Sequence, residues 1–552
     1  MRNNRLFLPV LLASSVLARN STKKTLCPIL GQQYPLPTNL SCSPPFLSAT
    51  QNLSAAIDAR LHDAGFNETT FSLGISSSEE PSDLLWEYHH TDASVSNSAF
   101  GVRSADADSI YRVGSVSKLF TVYAFLIRAG EKRLHEPLTV FLSELRGLGV
   151  EEGDLDAVLP RWEEITVGEA LSQGEYINGV ARQQPVFPSS YTPTYSNDGF
   201  GIAGAALERF ANASFEDVFD EAIVRPLGLK GTSAKTPKST VNGIIPGNLT
   251  SSGWDSDFGA IGPAGGHFSS TRDMAKMSKA ILNSDMLPAA TTRRWLKPKS
   301  FVESFEQGVG MPWEIFRLKV DGYTVDLYTK DGDCTFLTTN SSPVSPRAND
   351  PNPTVATYHS EIILIPQFGL GISLLTATAT QNGSIAVRQV LSNLLTSTVL
   401  PAVAKATKSQ AHDTFAGHYT ALPHLNSSLT IATDDLPGLK ITSWISNGTD
   451  FKATFVEKYL GEDIRLMPNL LYDKTGDRVG FTATFSVPKV DADPVADGDP
   501  STWYWKCPSW IAAGAIRWGD VGVEQFVFER GGEGVVEGVV SKGLRVRMKK
   551  DE

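Results

Sequence analysis

The spacing of apolar residues between positions 53 and 130 alternates between helical and strand-like patterns. LSAAIDARLHDAG (53–65) repeats its apolar positions every three or four residues and stops at glycine, which predicts a helix. TFSLGIS, LLWEYHH and IYRVG then predict three strands joined by polar turns. A second helix is predicted from Ser115 to Gly130. Its apolar face consists of Val116, Leu119, Phe120, Tyr123, Leu126 and Ile127.

Helical patterns dominate the middle of the chain, and strand patterns return near residue 359. GFGIAGAALERFA (199–211), STRDMAKMSKAILNS (270–284) and IAVRQVLSNLLTSTV (385–399) predict helices, whereas HSEIILIPQF and LGISLLTATA predict strands. Antiparallel strands at both ends with helices between them predict an α+β domain over residues 51–402.

The pattern changes near residue 405. KATKSQAHD is polar and predicts a linker, and short alternating segments follow: LTIATDD, LKITSWIS, FKATFVE, FTATFSV and EQFVFER. We therefore predict a second, all-β domain over residues 412–552, either a small barrel or a sandwich.

The first residues have the pattern of an export signal. MRNNR is basic, LFLPVLLASSVLA is apolar, and Val16-Leu17-Ala18 provides a small-residue cleavage site, so residues 1–18 are interpreted as a signal peptide. The alternative is an uncleaved anchor. Residues 19–50, rich in Pro, Ser and Asn, predict an extended leader, and no later segment predicts a membrane span.

Composition and sequons agree with a secreted globular protein. The chain has 552 residues, 41% of them hydrophobic and 20% charged, which is enough for large cores. Its formal net charge of −11 argues against a nucleic-acid partner. N-x-S/T sequons spread over the chain predict a secreted glycoprotein. They occur at Asn20, Asn39, Asn52, Asn67, Asn212, Asn248, Asn340, Asn382, Asn426 and Asn447.

Four cysteines, Cys27, Cys42, Cys334 and Cys507, predict two disulfides in an oxidising compartment. Three connectivities are possible. Pairing of Cys27 with Cys42, close in sequence, would leave Cys334 with Cys507. No metal-ligand spacing is present, so we predict no metal site.

Ser115 and Lys118 are the leading candidates for chemistry. Residues three apart lie on one helix face, so the Ser115 hydroxyl and the Lys118 amine can meet. A serine hydroxyl needs a base, and a desolvated lysine with a depressed pKa can serve as one. The helix N-terminus also favours developing negative charge at Ser115.

YRVGSVSKLFT resembles the nucleophile motif S-x-x-K of the serine β-lactamase and penicillin-binding-protein superfamily, and in particular its class C branch. The resemblance covers residues 50 to 400. It implies a β-lactamase/transpeptidase-like domain, an antiparallel sheet flanked by helices, with no cofactor. The last 140 residues contain no motif, but their short alternating segments resemble the lipocalin-like C-terminal domains of some fungal members.

The branch's second element, Y-x-N, matches twice. YIN at Tyr176–Asn178 is one match, and Tyr195-Ser196-Asn197 in PTYSNDGFGIAGAALERF resembles the family more closely. The resemblance implies that Tyr195 shuttles a proton, provided nearby lysines lower its pKa. Asn197 would hydrogen-bond Lys118 and the substrate.

Lys330-Asp331-Gly332 in VDLYTKDGDCTF resembles the third element, K-T-G, with Asp in place of Thr. The resemblance implies that Lys330 supplies positive charge to the substrate and to Tyr195. Gly332 would admit the substrate backbone, and the N–H groups of Asp333 and Ser115 would form an oxyanion hole. His359 is a rival contributor, interpreted as a strand-surface residue.

Two departures from the family pattern restrict the function. Gln173 stands where a His is common, and the E-x-x-L-N loop of class A enzymes is not recognisable, so antibiotic hydrolysis is not implied.

The leading hypothesis is a secreted serine hydrolase that acts on a small-molecule ester or amide through a Ser115 acyl-enzyme. The alternatives are an acyltransferase of secondary metabolism using the same acyl-enzyme, and a non-catalytic ligand-binding member of the superfamily. No membrane span remains after signal removal, and the oligomeric state stays open.

Overall fold

The computed structural model describes residues 29–146, 162–172, 187, 189–337, 355–380, 384–461, 463–486, 513–514 and 516–551. These residues form two compact units. The sheet unit contains the described residues of 38–318 and 326–402, and the barrel unit contains those of 319–325 and 403–552 together with 29–37.

The sheet unit is built on eight strands in the order β2-β1-β10-β9-β8-β7-β6-β5. β1 and β10 pair antiparallel from Thr70↔Ala377 to Ser77↔Leu370 and are buried along their whole length, so the centre of the sheet is covered on both faces. A separate pair, β3–β4, lies beside it. The strands are β1 Thr70–Ser77, β2 Trp86–His90, β3 Ile110–Arg112, β4 Phe268–Ser270, β5 Ser300–Phe301, β6 Gln307–Val309, β7 Glu314–Val320, β8 Tyr323–Leu337, β9 Val355–Ile365 and β10 Leu370–Thr378.

Helices fill the middle of the chain, and the central one is α4. Its residues from Ser117 to Leu126 are all buried, because apolar residues surround the helix on every side. Tyr123 stacks on Trp295 with ring centroids 5.2 Å apart. The helices are α1 Pro44–Arg60, α2 Ala64–Asn67, α3 Ala93–Ser96, α4 Ser117–Arg128, α5 Leu138–Phe141, α6 Val167–Ala170, α7 Asn197–Ala211, α8 Phe215–Phe219, α9 Arg225–Leu227, α10 Gly262–Gly265, α11 Thr271–Asn283, α12 Ala289–Trp295, α13 Ser384–Phe415 and α14 Glu457–Tyr459.

The barrel unit is all antiparallel. Its strands follow the order β12-β11-β21-β20-β19-β16-β15-β13, and a further β12–β13 pairing closes the ring, with β14 attached to β13. Phe415, Tyr419, Phe481 and Phe528 fill its core with ring centroids 4.8–6.1 Å apart. The strands are β11 Gly417–Thr420, β12 Ser428–Ala432, β13 Leu439–Ser446, β14 Thr449–Asp450, β15 Asp463–Tyr472, β16 Arg478–Ser486, β17 Arg517–Trp518, β18 Val521–Gly522, β19 Gln525–Arg530, β20 Val536–Ser541 and β21 Val546–Lys550.

The predicted fold class, an α+β domain followed by a small all-β domain, is confirmed. The first helix begins earlier than predicted, at Pro44 within the segment predicted as an extended leader. Ser43 accepts a hydrogen bond from the Phe46 N–H, and a proline occupies the first helical position, both of which favour a helix start.

The predicted linker at KATKSQAHD is wrong, because α13 runs without interruption from Ser384 to Phe415. Val403, Ala404, Thr407 and Ala411 are buried at helical spacing between the polar residues. Small buried side chains carry little hydropathy signal, so the polar residues dominated the sequence pattern.

FKATFVE, predicted as a strand segment, is helical instead, with a π-helical turn at Lys452–Val456 followed by α14. Phe451 and Phe455 stack with centroids 5.0 Å apart, a spacing of four residues that fits one helix face. Their alternation with polar residues fitted a strand equally well.

The predicted disulfides are absent from the structure at both described cysteines. Cys42 is an exposed free thiol and Cys334 is a buried one, whose Sγ lies 3.7 Å from the Gly265 carbonyl. Cys27 and Cys507 lie outside the described residues, as does the predicted signal peptide. No described helix combines the length and apolar character that a bilayer crossing requires.

Candidate active site

Ser115 lies in a short turn that joins β3 to α4. The strand leads into the 3₁₀ turn Gly114–Val116, and α4 follows directly at Ser117. Gly114 has φ of 48°, and a Cβ at this position would lie 2.8 Å from the Asp333 amide nitrogen. Only glycine fits this conformation and this approach at low cost, so the turn can bring Ser115 against β8.

The Lys118 side chain is buried and has three partners. Its Nζ lies 2.9 Å from Ser115 Oγ, 2.7 Å from Asn197 Oδ1 and 2.9 Å from the carbonyl oxygen of Ala264. Two of these partners are carbonyl oxygens that can only accept hydrogen bonds. A neutral amine has two N–H donors for them and one lone pair, which then faces the Ser115 hydroxyl.

The environment favours this neutral amine. Burial lowers the pKa of Lys118 to about 6, and the neighbouring positive charge of Lys330 contributes in the same direction. At neutral pH Lys118 is therefore predominantly uncharged and able to accept the Ser115 proton.

Tyr195 and Asn197 come from the start of α7. The Ser196 side chain caps this helix by accepting a hydrogen bond from the Gly199 N–H at 2.9 Å. The Tyr195 hydroxyl donates a hydrogen bond to Ser115 Oγ, and its ring centroid lies 4.7 Å from Lys118 Nζ. The Tyr195-Ser196-Asn197 motif therefore contacts both Ser115 and Lys118.

Tyr195 differs from its sequence-based expectation in one respect. The resemblance required neighbouring lysines to lower its pKa, but partial burial raises the pKa of Tyr195 and outweighs the lowering effect of Lys330. The phenol thus keeps its proton. It is suited to donate a proton rather than to act as the resting base.

Lys330 lies on β8 with its side chain fully buried. Its Nζ contacts a Glu314 carboxylate oxygen, lies 2.7 Å from the Asp331 carbonyl, and is 5.5 Å from the Tyr195 ring centroid. Burial would lower the pKa of Lys330, but Glu314, Tyr195 and Asp331 raise it and prevail. Burial raises the pKa of Glu314, and Lys330 offsets part of that effect.

Glu314 was not found by sequence analysis. It lies in GMPWEIF, a segment with no motif, and reaches Lys330 only because β7 and β8 are neighbours in the sheet. Asp331 is held by Arg388 of α13, whose Nη1 lies 2.8 Å from Asp331 Oδ2. Burial alone would raise the pKa of Asp331, but its contacts with Glu314, Lys330 and Arg388 hold it below its usual range.

The edge of β8 approaches Ser115 most closely at Gly332. A Cβ on Gly332 would lie 2.2 Å from the Val113 carbonyl and 2.7 Å from the Ser115 nitrogen, so this position admits no larger residue without movement. The Asp331 N–H donates to Glu314 Oε2 at 3.1 Å, away from β9. Backbone N–H groups two residues apart share one strand edge, which directs the Asp333 N–H toward the Ser115 turn.

His359, interpreted from sequence as a strand-surface residue, is buried in β9. It pairs across the sheet with Asp333, and its Nδ1 contacts the Asp333 carboxylate. The competing Y-x-N match at Tyr176–Asn178 lies outside the described residues, as does Gln173.

A cleft of about 400 Å³ is lined by the segments that precede Tyr195 and Glu314. Its wall combines apolar residues with the polar side chains of His135, Glu169 and Lys299. Within the described ranges, no group of three or more His, Cys, Asp or Glu residues is arranged to hold a metal ion.

Comparisons with known proteins extend over both units. Residues 88–386 match the family model described as beta-lactamase, and residues 407–552 match one described as beta-lactamase-like-like, C-terminal domain. A beta-lactamase-like protein of Arthroderma benhamiae is 28% identical over 77% of this chain and 74% of its own length. A protein named probable hydrolase M10 from a Phoma species is 24% identical over 76% of this chain and 72% of its own length.

A solved structure titled beta-lactamase/D-alanine carboxypeptidase from Pseudomonas syringae superimposes with a TM-score of 0.45 and 16% identity. It covers 64% of this chain and 98% of its own. The β-lactamase model spans more than half of the sequence, and the resemblance predicted from YRVGSVSKLFT is thereby confirmed. The chain belongs to the β-lactamase family and its hydrolase superfamily.

Proposed function

We propose that this protein is a serine hydrolase in which Ser115 attacks the carbonyl of an ester or amide and forms an acyl-enzyme. The observation that carries this proposal is the hydrogen-bond chain from the Tyr195 hydroxyl to Ser115 Oγ and from there to Lys118 Nζ. A buried neutral amine beside a serine hydroxyl is the arrangement that activates a weak nucleophile.

The proton path follows from this chain. Lys118 accepts the Ser115 proton as Oγ bonds to the carbonyl carbon, and the carbonyl oxygen becomes an oxyanion. The N–H groups of Ser115 and Asp333 stabilise that charge. When the intermediate collapses, Tyr195 donates its proton to the leaving group, and the extra proton on Lys118 then goes to the Tyr195 phenolate, which restores the phenol and the neutral amine.

Deacylation repeats these steps with water in place of the serine. Water adds to the acyl carbon and passes a proton to the neutral Lys118 amine, which later gives it to Ser115 Oγ. The acid is released, and Ser115 regains its hydrogen. If an alcohol or amine replaced water, the same acyl-enzyme would give acyl transfer, so product analysis in the presence of added alcohols distinguishes the two reactions.

The direct test is covalent labelling with a fluorophosphonate, followed by intact-mass and peptide analysis. Wild type should gain one adduct on the peptide that contains Ser115, whereas Ser115→Ala should gain none. Ser397→Ala is the matched control, because this exposed α13 serine bonds a backbone carbonyl of its own helix at 3.4 Å and lies in no sequon, so the variant should label like wild type. A folded wild type without an adduct would exclude the proposal.

We also propose that the protein is secreted and glycosylated. Seven sequon asparagines lie among the described residues, and all seven are exposed: Asn39, Asn52, Asn67, Asn212, Asn248, Asn426 and Asn447. Asn20, Asn340 and Asn382 lie outside them. Expression in a eukaryotic host should yield protein in the medium whose mass falls on peptide-N-glycosidase treatment. Retention of unglycosylated protein in the cells would contradict this assignment.

A further inference from the structure

At β8 the cationic side chains are buried, and the carboxylates are exposed to solvent. The side chain of Lys330 is 0% exposed and that of Arg388 is 10% exposed, whereas those of Asp331 and Asp333 are 37% and 49% exposed. A substrate that approaches this edge therefore meets carboxylate oxygens before it meets an ammonium or guanidinium group.

The buried cations are also already paired. Lys330 contacts Glu314 and Asp331, and Arg388 contacts Asp331. An anionic substrate group would have to compete with these carboxylates for a lysine that has no exposed surface. Burying a further carboxylate there without a free cation is unfavourable.

Asp333 approaches the Ser115 turn through its backbone. Its backbone nitrogen is within 2.8 Å of the position that a Gly114 Cβ would occupy, beside Ser115. Covalent geometry keeps the Asp333 carboxylate within about 5 Å of its own nitrogen. Any acyl group that binds its oxygen to this N–H thus has a fixed carboxylate beside it.

The other titratable groups around the Asp333 carboxylate lie on β9 and α13. His359 holds the carboxylate from β9, and Arg388 of α13 acts on it electrostatically. Glu361, also on β9, lies opposite Asp331 in the strand register and adds no cation. Lys330 and Arg388 are buried and paired, so the charged side chains that this edge exposes to solvent are those of Asp331 and Asp333.

Resting on the proposed serine-hydrolase function, we propose that this site selects acyl substrates with a cationic ammonium group beside the scissile carbonyl and disfavours carboxylates there. Asp333 is the residue that determines this preference. Its side chain attracts the ammonium group while its backbone N–H binds the developing oxyanion.

Three fluorophosphonates with the same reactive head test this proposal. One carries a trimethylammonium group, one its neutral tert-butyl isostere and one a carboxylate. The second-order labelling rate of wild type should be at least tenfold higher for the cation than for the anion. Asp333→Asn should reduce that ratio about tenfold, and comparing the two proteins cancels the intrinsic reactivity of the probes.

Asp63→Asn is the matched control, because it removes an equal charge from an exposed ion pair with Arg60 on the α1–α2 connection. It should leave the cation-to-anion ratio unchanged. On wild type, raising the salt concentration from 20 to 500 mM should narrow the preference, because screening weakens interactions between exposed charges.

Equal labelling by the three probes, or a preference that survives Asp333→Asn or high salt, would overturn the assignment and leave the proposed nucleophile intact. Failure of all three probes on folded wild type would instead remove the proposed function itself.

Discussion

Proton transfer around Ser115 depends on the charge of one amine. Lys118 donates to two carbonyl oxygens and faces the Ser115 hydroxyl with its third position. Only the neutral form can accept the Ser115 proton, and burial and Lys330 favour that form.

The first prediction concerns the pH dependence of this base. Because the pKa of Lys118 is lowered to about 6, the neutral amine is present above pH 6 and protonated below it. We expect kcat/KM for a neutral ester to be constant near pH 7.5 and to fall about tenfold per pH unit well below pH 6. A profile measured with stopped-flow ester hydrolysis should show this acidic limb.

Lys118→Met should lower kcat/KM by about 10²–10⁴-fold, the range for loss of a general base. Lys279→Met is the control, because Lys279 also bonds backbone carbonyls, at 2.7 Å and 2.8 Å, but belongs to α11. It should keep the wild-type profile. If Lys118→Met retained both the rate and the acidic limb, Lys118 would not be the base.

Single residues were predictable from sequence where chemistry requires a fixed spacing. The S-x-x-K spacing places Ser115 and Lys118 on one helix turn whatever the rest of the fold does. Glu314 was not predictable, because nothing near it in sequence indicates that Lys330 will be its neighbour across two strands.

At the level of secondary-structure elements, the close approach of β8 to the Ser115 turn positions the proposed oxyanion hole. Gly332→Ala would place a Cβ 2.2 Å from the Val113 carbonyl, so strand and turn must separate. We expect kcat for ester hydrolysis to fall by about 10–10³-fold, through weaker oxyanion binding. Steady-state kinetics and a thermal melt on the same sample would check this.

Gly532→Ala is the control for this substitution, because a Cβ there meets no atom within 4 Å. Its kcat should match that of wild type. An unchanged kcat in Gly332→Ala would show that the edge of β8 is not part of the oxyanion site.

The helix that replaces the predicted linker has its own test. Ser409 is an exposed residue inside α13. Proline there would remove a helical hydrogen bond and clash with the preceding turn, so Ser409→Pro should cost about 3 kcal/mol of unfolding free energy. Calorimetry should show a lower melting transition, whereas Ser409→Ala should melt like wild type or slightly higher. A linker would tolerate both changes.

Helices with strong periodicity, such as α7 and α11, were predictable because each buries one side of a regular pattern, and α4 was predictable from its apolar run. Residues 405–413 and 451–457 were not. In residues 405–413 the buried side chains are small. In residues 451–457 the two phenylalanines fit the spacing of a helix and that of a strand equally well.

At the level of the whole molecule, the barrel unit has a hydrophobic core of its own. Among the described residues, its interior is occupied by packed aromatic rings, including Phe415, Phe481 and Phe528. A core packed in this way stabilises the barrel.

Phe528→Ala should therefore act on stability. Removing a buried ring that contacts three others costs about 3–5 kcal/mol in comparable cores. Denaturant unfolding followed by tryptophan fluorescence should show the loss, and exposed Phe305→Ala should not. A change below 1 kcal/mol for Phe528→Ala would mean that the barrel core is not packed as described.

The sequence by itself determined the fold class and the nucleophile motif, because periodicity and short motifs depend only on residues that are neighbours in sequence. The protonation states around Ser115 and the charge of the β8 edge required the folded chain. They depend on burial and on contacts between residues far apart in sequence, such as Lys330 with Glu314 and Asp331 with Arg388, which only the pairing of strands and helices brings together.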